Sequence, residues 1–321
     1  MKQRGMALLM VLLMVATMAA VAVSSQEYWQ QAFSRAEGQQ FRQQAKWTLL
    51  GAEEWVRLQQ VDRLPEDAVH AGQTWARNVQ NFELDGIRIA WQLSDNQACF
   101  NLNAITPPKK PDDADPVSAP PRSASQMPGT DTPAATSSET PREALPRRVF
   151  RHLLVGQGLS TAQASELINA LAAVTPVTEI SQIRALPGVN RALWQKLQPL
   201  VCASADVQQR ININTLRGET GAALLMALSQ GYLSRSQAQR RLAARPVNGW
   251  AVTTDIAGKA ISPEAATAIA ESASLMALTS HDMTLLLQTE QAPHTFQLRS
   301  RLQRTEDAPF RVTERRYGIT D

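Results

Sequence analysis

The chain has 321 residues, with 32 Lys and Arg against 29 Asp and Glu and a formal net charge of +3. That length holds one large domain or two ordinary ones beyond an anchor, and so modest a charge does not by itself point to nucleic acid.

The N-terminus reads MKQRGMALLMVLLMVATMAAVAVSSQEYWQ. Lys2 and Arg4 precede Gly5, and Met6 to Val23 is an 18-residue run without a charge or a strong polar residue. It is just long enough to cross a bilayer as a helix. With the basic flank first, the N-terminus is expected to stay in the cytoplasm and the rest to be translocated. Three readings are open. The run is a cleaved signal peptide with Ala20-Val21-Ala22 as its small-residue site; it is a plain signal anchor; or it is a prepilin-type leader, cut before the apolar run. Two features favour the third. Gly5 stands directly between the basic flank and the apolar run, and the helical pattern does not stop where a signal peptide ends. From Ser24 to Val61 there is no proline, and Phe41, Ala45, Leu49, Ala52 and Val56 recur on one helix face. The spacing predicts one helix from Met6 to Val61, about 80 Å long.

The two cysteines, Cys99 and Cys202, belong to an exported chain that meets an oxidising compartment, so they are expected to pair rather than stay as buried thiols.

After a polar link through Pro65 the period changes to two. Ile87, Ile89, Trp91 and Leu93 line one strand face, and Asp85-Gly86 predicts the turn of a hairpin with the strand before it. Phe100 and Leu102 predict a third short strand, with Asn101 and Asn103 suited to tie turns through side-chain bonds to the backbone. Residues 105–146 are rich in Pro, Ser and Thr and are expected to be a disordered insertion. Asp112, Asp113 and Asp115 lie in it and lack the pattern of a calcium loop.

From Arg147 the pattern is helical, with Ser160 or Thr161 as the N-cap of a second helix. Two short helices meet at Leu186-Pro187-Gly188-Val189. ININT interrupts, and a second helical set of similar outline follows, which suggests a duplicated module. The segments MTLLLQ, HTFQLRSRLQ and APFRVTERRYG predict three antiparallel strands that join the early ones in a single sheet on the amphipathic half of the first helix.

No nucleophile elbow, phosphate loop, CxxC or HExxH occurs, and His70, His152, His281 and His294 are scattered. No enzyme is expected. IRALPGVNRALWQKL has the shape of a helix-hairpin-helix, whose amides hold a DNA phosphate in other proteins. Arg184, Arg191, Lys196, Arg240, Arg241 and Arg245 are then its candidate basic face. A membrane-tethered DNA-binding protein for uptake is therefore the alternative reading. Only Gly188 stands where two glycines are usual.

The N-terminus resembles the type IV pilin and pseudopilin family. The whole chain outside the Pro-rich insertion is similar to the K-type minor pseudopilins of type II secretion, through QACFNLNAI, LQPLVCASADVQQRININT, RPVNGW and the late strands. The resemblance implies cleavage between Gly5 and Met6 by a prepilin peptidase and N-methylation of Met6. It also accounts for Met10 at the fifth mature position, where other pilins carry a glutamate that neutralises a neighbour's terminal amine. The implied fold is α+β: a long N-terminal helix packed on an antiparallel sheet, with a large inserted all-α domain of helix-hairpin-helix or SAM-like character. The expected divisions are a leader 1–5, a membrane or filament-core helix 6–26, an amphipathic helix 27–61, first strands 82–104, the insertion 105–146, a helical domain 147–280 with two modules around 207–215, and last strands 281–321.

The implied role is protein export across the outer membrane, at the tip of the pseudopilus. The implied partners are the I- and J-type minor pseudopilins, the other pseudopilins and the inner-membrane platform, the prepilin peptidase, and secreted proteins or the secretin; nucleic acid is not among them. The implied location is the bacterial inner membrane, single-pass, with the bulk periplasmic. Family members carry calcium in the helical domain. Here Glu166 and Glu179 are the only carboxylates from Arg147 to Val201, so neither a metal nor another cofactor is expected.

Overall fold

A single helix opens the chain. The computed structural model describes residues 3–77, 79–84, 86–106, 143–258, 261–291, 294–305 and 308–318. Asp85, Asp112, Asp113, Asp115 and most of the expected insertion lie outside them. In chain order the elements are α1 (Gln3–Val56), β1 (Gln80–Leu84), β2 (Ile87–Asp95), β3 (Phe100–Asn101), α2 (Leu145–Gly156), α3 (Thr161–Val174), α4 (Arg191–Leu197), β4 (Val201–Cys202) and β5 (Ile211–Asn212). Then come α5 (Gly218–Leu228), α6 (Arg235–Ala243), α7 (Pro263–Glu271), β6 (Met276–Ala277), β7 (Asp282–Gln291), β8 (His294–Gln303) and β9 (Arg311–Gly318). Two compact units result, one of residues 1–63, 75–94 and 283–321, the other of 64–74 and 95–282.

In the first unit α1 runs for 54 residues and continues as one π-helical turn, Arg57–Val61. The sheet order is β1-β2-β7-β8-β9, so the early and late strands do meet in one sheet. β1 pairs with β2, and β8 with β9, in antiparallel register. The expected stripe Phe41, Ala45, Leu49, Ala52 and Val56 is buried, and α1 packs on β8. Ala45 and Ala52 are small enough to bring the helix backbone close to the sheet, while Leu49 and Phe41 fill the space between.

One charge is buried in this face. The Glu53 side chain is 2% exposed. Arg315 of β9 holds it through two nitrogens, Nη2 at 2.7 Å from Oε1 and Nε at 3.0 Å from Oε2, and Ser300 of β8 donates to Oε2. Ser300 and Arg315 are cross-strand partners. The carboxylate therefore fixes the β8–β9 register against the helix.

The second unit has one apolar core, running from Phe100 to Met276 and including the stacked pair Phe100 and Phe150, 4.8 Å apart. It is built twice. β3, α2, α3, a 3-10 turn (Ile180–Ala185) and α4 lead to β4, which pairs parallel to β3. β5, α5, α6, a 3-10 turn (Thr253–Ile256) and α7 lead to β6, which pairs parallel to β5. The caps repeat as well. Ser160 and Gln163 form a capping box on α3, and Ser234 and Gln237 form the same box on α6.

One reading of the sequence is corrected. The strand at Phe100 does not join the hairpin; it is two residues long and pairs with Val201–Cys202 in the helical unit. Its alternation is real, but the partners that decide its place are about a hundred residues away. Of the two short helices that meet at the Leu186–Val189 turn, the first is a 3-10 helix and the second is α4.

Cys99 and Cys202 are bonded across a sequence separation of 103 residues. Replacing both with alanine should lower the unfolding free energy by about 4–5 kcal/mol on the chain-entropy model, read from the urea midpoint. Arg315→Ala should cost about 2 kcal/mol, because it leaves Glu53 buried without its partner. The 43% exposure of the Arg315 side chain holds the effect below that of a fully buried pair. Replacing Glu53 and Arg315 together by Leu and Met should restore most of that loss in the same measurement.

Candidate functional site

Two parts of the molecule are candidates for the functional surface. The first is the N-terminal half of α1. Its most apolar 18-residue window has a mean hydropathy of 2.4, and none of that window is covered by the rest of the described chain. Met6 and Met10 are exposed on it, as are most of the large side chains through Val23. Gly5 lies inside the helix, one residue before Met6. The helix is long and apolar enough to cross a membrane. Tyr28, Trp29 and Phe33 stand exposed just beyond the run, the residue types that sit at a membrane–water boundary.

The second is the helical unit, and asparagines hold it. The Asn103 side chain accepts from Val177 N at 2.7 Å and donates to the Val177 and Ser204 carbonyls. In the second module Asn214 accepts from Trp250 N at 2.7 Å and donates back to the Trp250 carbonyl. Asn101 and Asn212 each accept from the amide two residues on. A two-residue strand cannot satisfy the backbone around it, and these amides do so instead. Gly249 is required beside the second clamp: its φ is 77°, and a Cβ there would lie 2.8 Å from the Asn214 side chain. The strings FNLN and ININ carried this signal in the sequence, as one motif written twice.

The hairpin has Leu186, Pro187, Gly188 and Val189 in a turn closed by Val189 N donating to Leu186 O, with Gly188 at φ 84°. Asn190 caps α4 through Leu193 N at 2.8 Å. The six candidate basic residues do not form one free face. Arg184 lies over the Trp194 ring, and Lys196 donates to Gln157 O. Arg241 donates to the Ile256 and Asp255 carbonyls, and Arg245 to Leu216 O while lying over Trp250. Arg191 and Arg240 are exposed. Among the described residues no group of three or more His, Cys, Asp and Glu could hold a metal ion.

Sequence reasoning missed two polar sites in this unit. Asp95 Oδ2 accepts from Ser280 Oγ at 2.7 Å and from Thr215 Oγ1, and Oδ1 accepts from Gln97 N at 2.8 Å. Burial pushes this carboxyl up, and the three donors pull it back. Beyond the polar link through Pro65 the chain is attached to this unit, with Val69 N donating to Leu278 O and Ala71 N to Asn214 O. There His70 Nδ1 accepts from Gly72 N at 3.2 Å, which requires that nitrogen to be unprotonated. Burial, then Arg245, hold His70 below its ordinary range.

A family model described as Type II secretion system (T2SS), protein K matches residues 211–275. The chain is 30% identical to the type II secretion system protein K of Klebsiella pneumoniae over 99% of this chain and 97% of that one. It is 34% identical to the protein of the same name from Pectobacterium carotovorum subsp. carotovorum, over 78% of this chain and 77% of that one. A chain in the crystal structure of the GspK-GspI-GspJ complex from enterotoxigenic Escherichia coli superposes with a TM-score of 0.65 and 24% identity, covering 89% of this chain and 100% of that chain. At that identity the likeness shows the fold: a long N-terminal helix, an antiparallel sheet and a helical domain.

The sign of the pH dependence follows from His70. Its pKa in the folded protein lies below the ordinary histidine range, so the folded state binds this proton less readily than the unfolded chain. The stability His70 contributes is complete above about pH 6.5 and is lost as pH falls below it. His152, lowered by burial and then by Arg151 and Arg148, acts in the same sense. Asp95 acts in the opposite sense, since its raised pKa favours folding as it protonates. The His70 part is isolated by His70→Asn, whose Oδ1 accepts the same hydrogen bond without titrating. Between about pH 7 and pH 5 the variant should lose less Tm than the parent, measured by thermal melts in matched buffers.

Proposed function

The chain belongs to the type II secretion system protein K family, and on that premise we propose that it is a minor pseudopilin at the tip of the type II secretion pseudopilus, acting in protein export across the outer membrane. The observation that carries the reading is the division of α1. Its first half is apolar and bare, and its second half buries a stripe on a five-stranded sheet with no break between them. Such a helix sits in a bilayer before assembly and in the core of a helical filament afterwards, with no change in the domain it carries.

The rest of the reading follows from the same helix. The prepilin peptidase cuts between Gly5 and Met6 and N-methylates Met6. Met10 cannot pair with a buried ammonium on a subunit above it, which suits a terminal position. The I- and J-type minor pseudopilins are its immediate partners, by likeness to the solved complex. The other pseudopilins and the inner-membrane platform meet it during assembly. The protein spans the inner membrane once with its N-terminus cytoplasmic and its bulk periplasmic, and then moves to the pseudopilus tip. There the helical unit nucleates or caps the pseudopilus and faces secreted proteins or the secretin.

On this reading the protein is not an enzyme and carries no resident metal. The internal engagement of Arg184, Lys196, Arg241 and Arg245 supports a partner other than nucleic acid.

Mass spectrometry of the N-terminus of the protein from its native inner membrane tests the assignment. The expected mature chain starts at N-methylated Met6. A start after Ala22 would overturn it, because no apolar helix would remain for assembly, and salt-dependent DNA binding by the released part would then be the next measurement.

A further inference from the structure

The two modules of the helical unit differ at one place in a way that points to a ligand. Counted from the capping serines, Leu167 on α3 stands where Arg241 stands on α6. In the second module Arg241 crosses from its helix to the matching hairpin turn, Asp255–Gly258, which Gly258 N closes by donating to Asp255 O. Its Nε donates to Ile256 O at 2.7 Å and its Nη2 to Asp255 O at 2.8 Å. It covers the hairpin so closely that a Cβ on Gly258 would lie 2.5 Å from its Cζ. In the first module Leu167 is buried in the core and has no donor with which to bridge to the turn. A groove of about 570 Å³ opens between α3 and the Leu186–Val189 turn. Gly188, in the same left-handed conformation as Gly258, has nothing within 4 Å of the place where a Cβ would be.

The charges of this groove are Glu166 and Lys196. Lys196 is committed at one end, where it donates to Gln157 O at 3.1 Å. Glu166 is exposed on the α3 wall and has no hydrogen-bond or ion-pair partner among the described residues. Its counterpart on α6 is Arg240. The second module thus has a guanidinium in its gap and a cation on its wall, whereas the first has no guanidinium in its gap, a carboxylate on its α3 wall and the committed Lys196 at one end.

We propose that the groove between α3 and the Leu186–Val189 turn receives an arginine side chain of a partner protein, seated as Arg241 is seated in the sister module and paired with Glu166. The apolar stem would lie along Leu167 and Ala170, and the guanidinium would reach Glu166 and the turn. A guanidinium suits such a place because it stacks flat against backbone while its rim still donates hydrogen bonds.

The test uses the full chain in detergent micelles, labelled with nitrogen-15 and titrated with acetyl-Gly-Arg-Gly-amide and acetyl-Gly-Glu-Gly-amide. The arginine peptide should give saturating amide shifts at Glu166, Gly188 and Asn190, and the glutamate peptide should not. Glu166→Gln should weaken the arginine peptide about fivefold, as for a solvent-exposed ion pair. Ala192→Trp, which fills the groove from the α4 side, should abolish the shifts. Both replacements are at exposed positions, and an unchanged thermal midpoint checks that they fold. The proposal is overturned if the glutamate peptide binds as well, if Glu166→Gln leaves the arginine peptide's affinity unchanged, or if no saturating shifts appear at these residues.

Discussion

A helix of 54 residues with an apolar circumference at one end must be covered there by something its own fold does not provide. That requirement organises the first unit. The half that ends near Val23 makes no use of the rest of the described chain, so the packing that holds the helix comes from Gly38 onward. There the circumference narrows to one stripe, and a single sheet covers it. The sheet is assembled from both ends of the sequence, with β2 beside β7, because neither the early hairpin nor the late strands alone offers a layer wide enough. Glu53 then does what an apolar residue at that position could not. An apolar stripe tolerates a slide of the helix along the sheet at modest cost, whereas a buried carboxylate gripped by Ser300 and Arg315 tolerates none.

The helical unit answers a different problem. Its strands are two residues long and parallel, too short to be stable from ladder hydrogen bonds. Their backbone is held by side-chain amides that reach across each module, Asn103 to Val177 and Asn214 to Trp250. The disulfide works in the same direction, joining the residue before β3 to the end of β4. Short helices can then pack on a shared core without any one of them being long enough to be stable alone.

How much of this the sequence disclosed depended on the range of the interaction. The stripe on α1 was legible because helical periodicity is local, and so were the capping serines. The hairpin was legible because Gly86 sits at positive φ between two alternating runs. The FNLN segment was misplaced for a physical reason: Phe100 and Leu102 alternate as a sheet strand would, and only Val201 reveals which sheet. Segment 64–74 carried no periodicity at all, since its attachment runs through backbone groups of Val69 and Ala71. Of the candidate site, the apolar helix and the hairpin residues were evident, but the fate of the arginines was not. Composition counts Arg241 and Arg245 as surface charge, while the structure binds both to carbonyls of their own module.

The duplication separates what the fold demands from what it leaves free. Ser160 and Ser234, Gln163 and Gln237, and the buried Ala164 and Ala238 stand at matching places, because a capped helix start against a packed core admits few solutions. Glu166 against Arg240 and Leu167 against Arg241 differ in charge or polarity: Leu167 joins the apolar core, whereas Arg241 leaves its helix for the Ile256 and Asp255 carbonyls. A scaffold copied twice keeps its caps and its clamps under the same physical constraint in both copies. The wall beside the turn carries neither cap nor clamp, and there the two copies differ: Arg241 closes the second by binding backbone carbonyls, whereas the groove of the first is open.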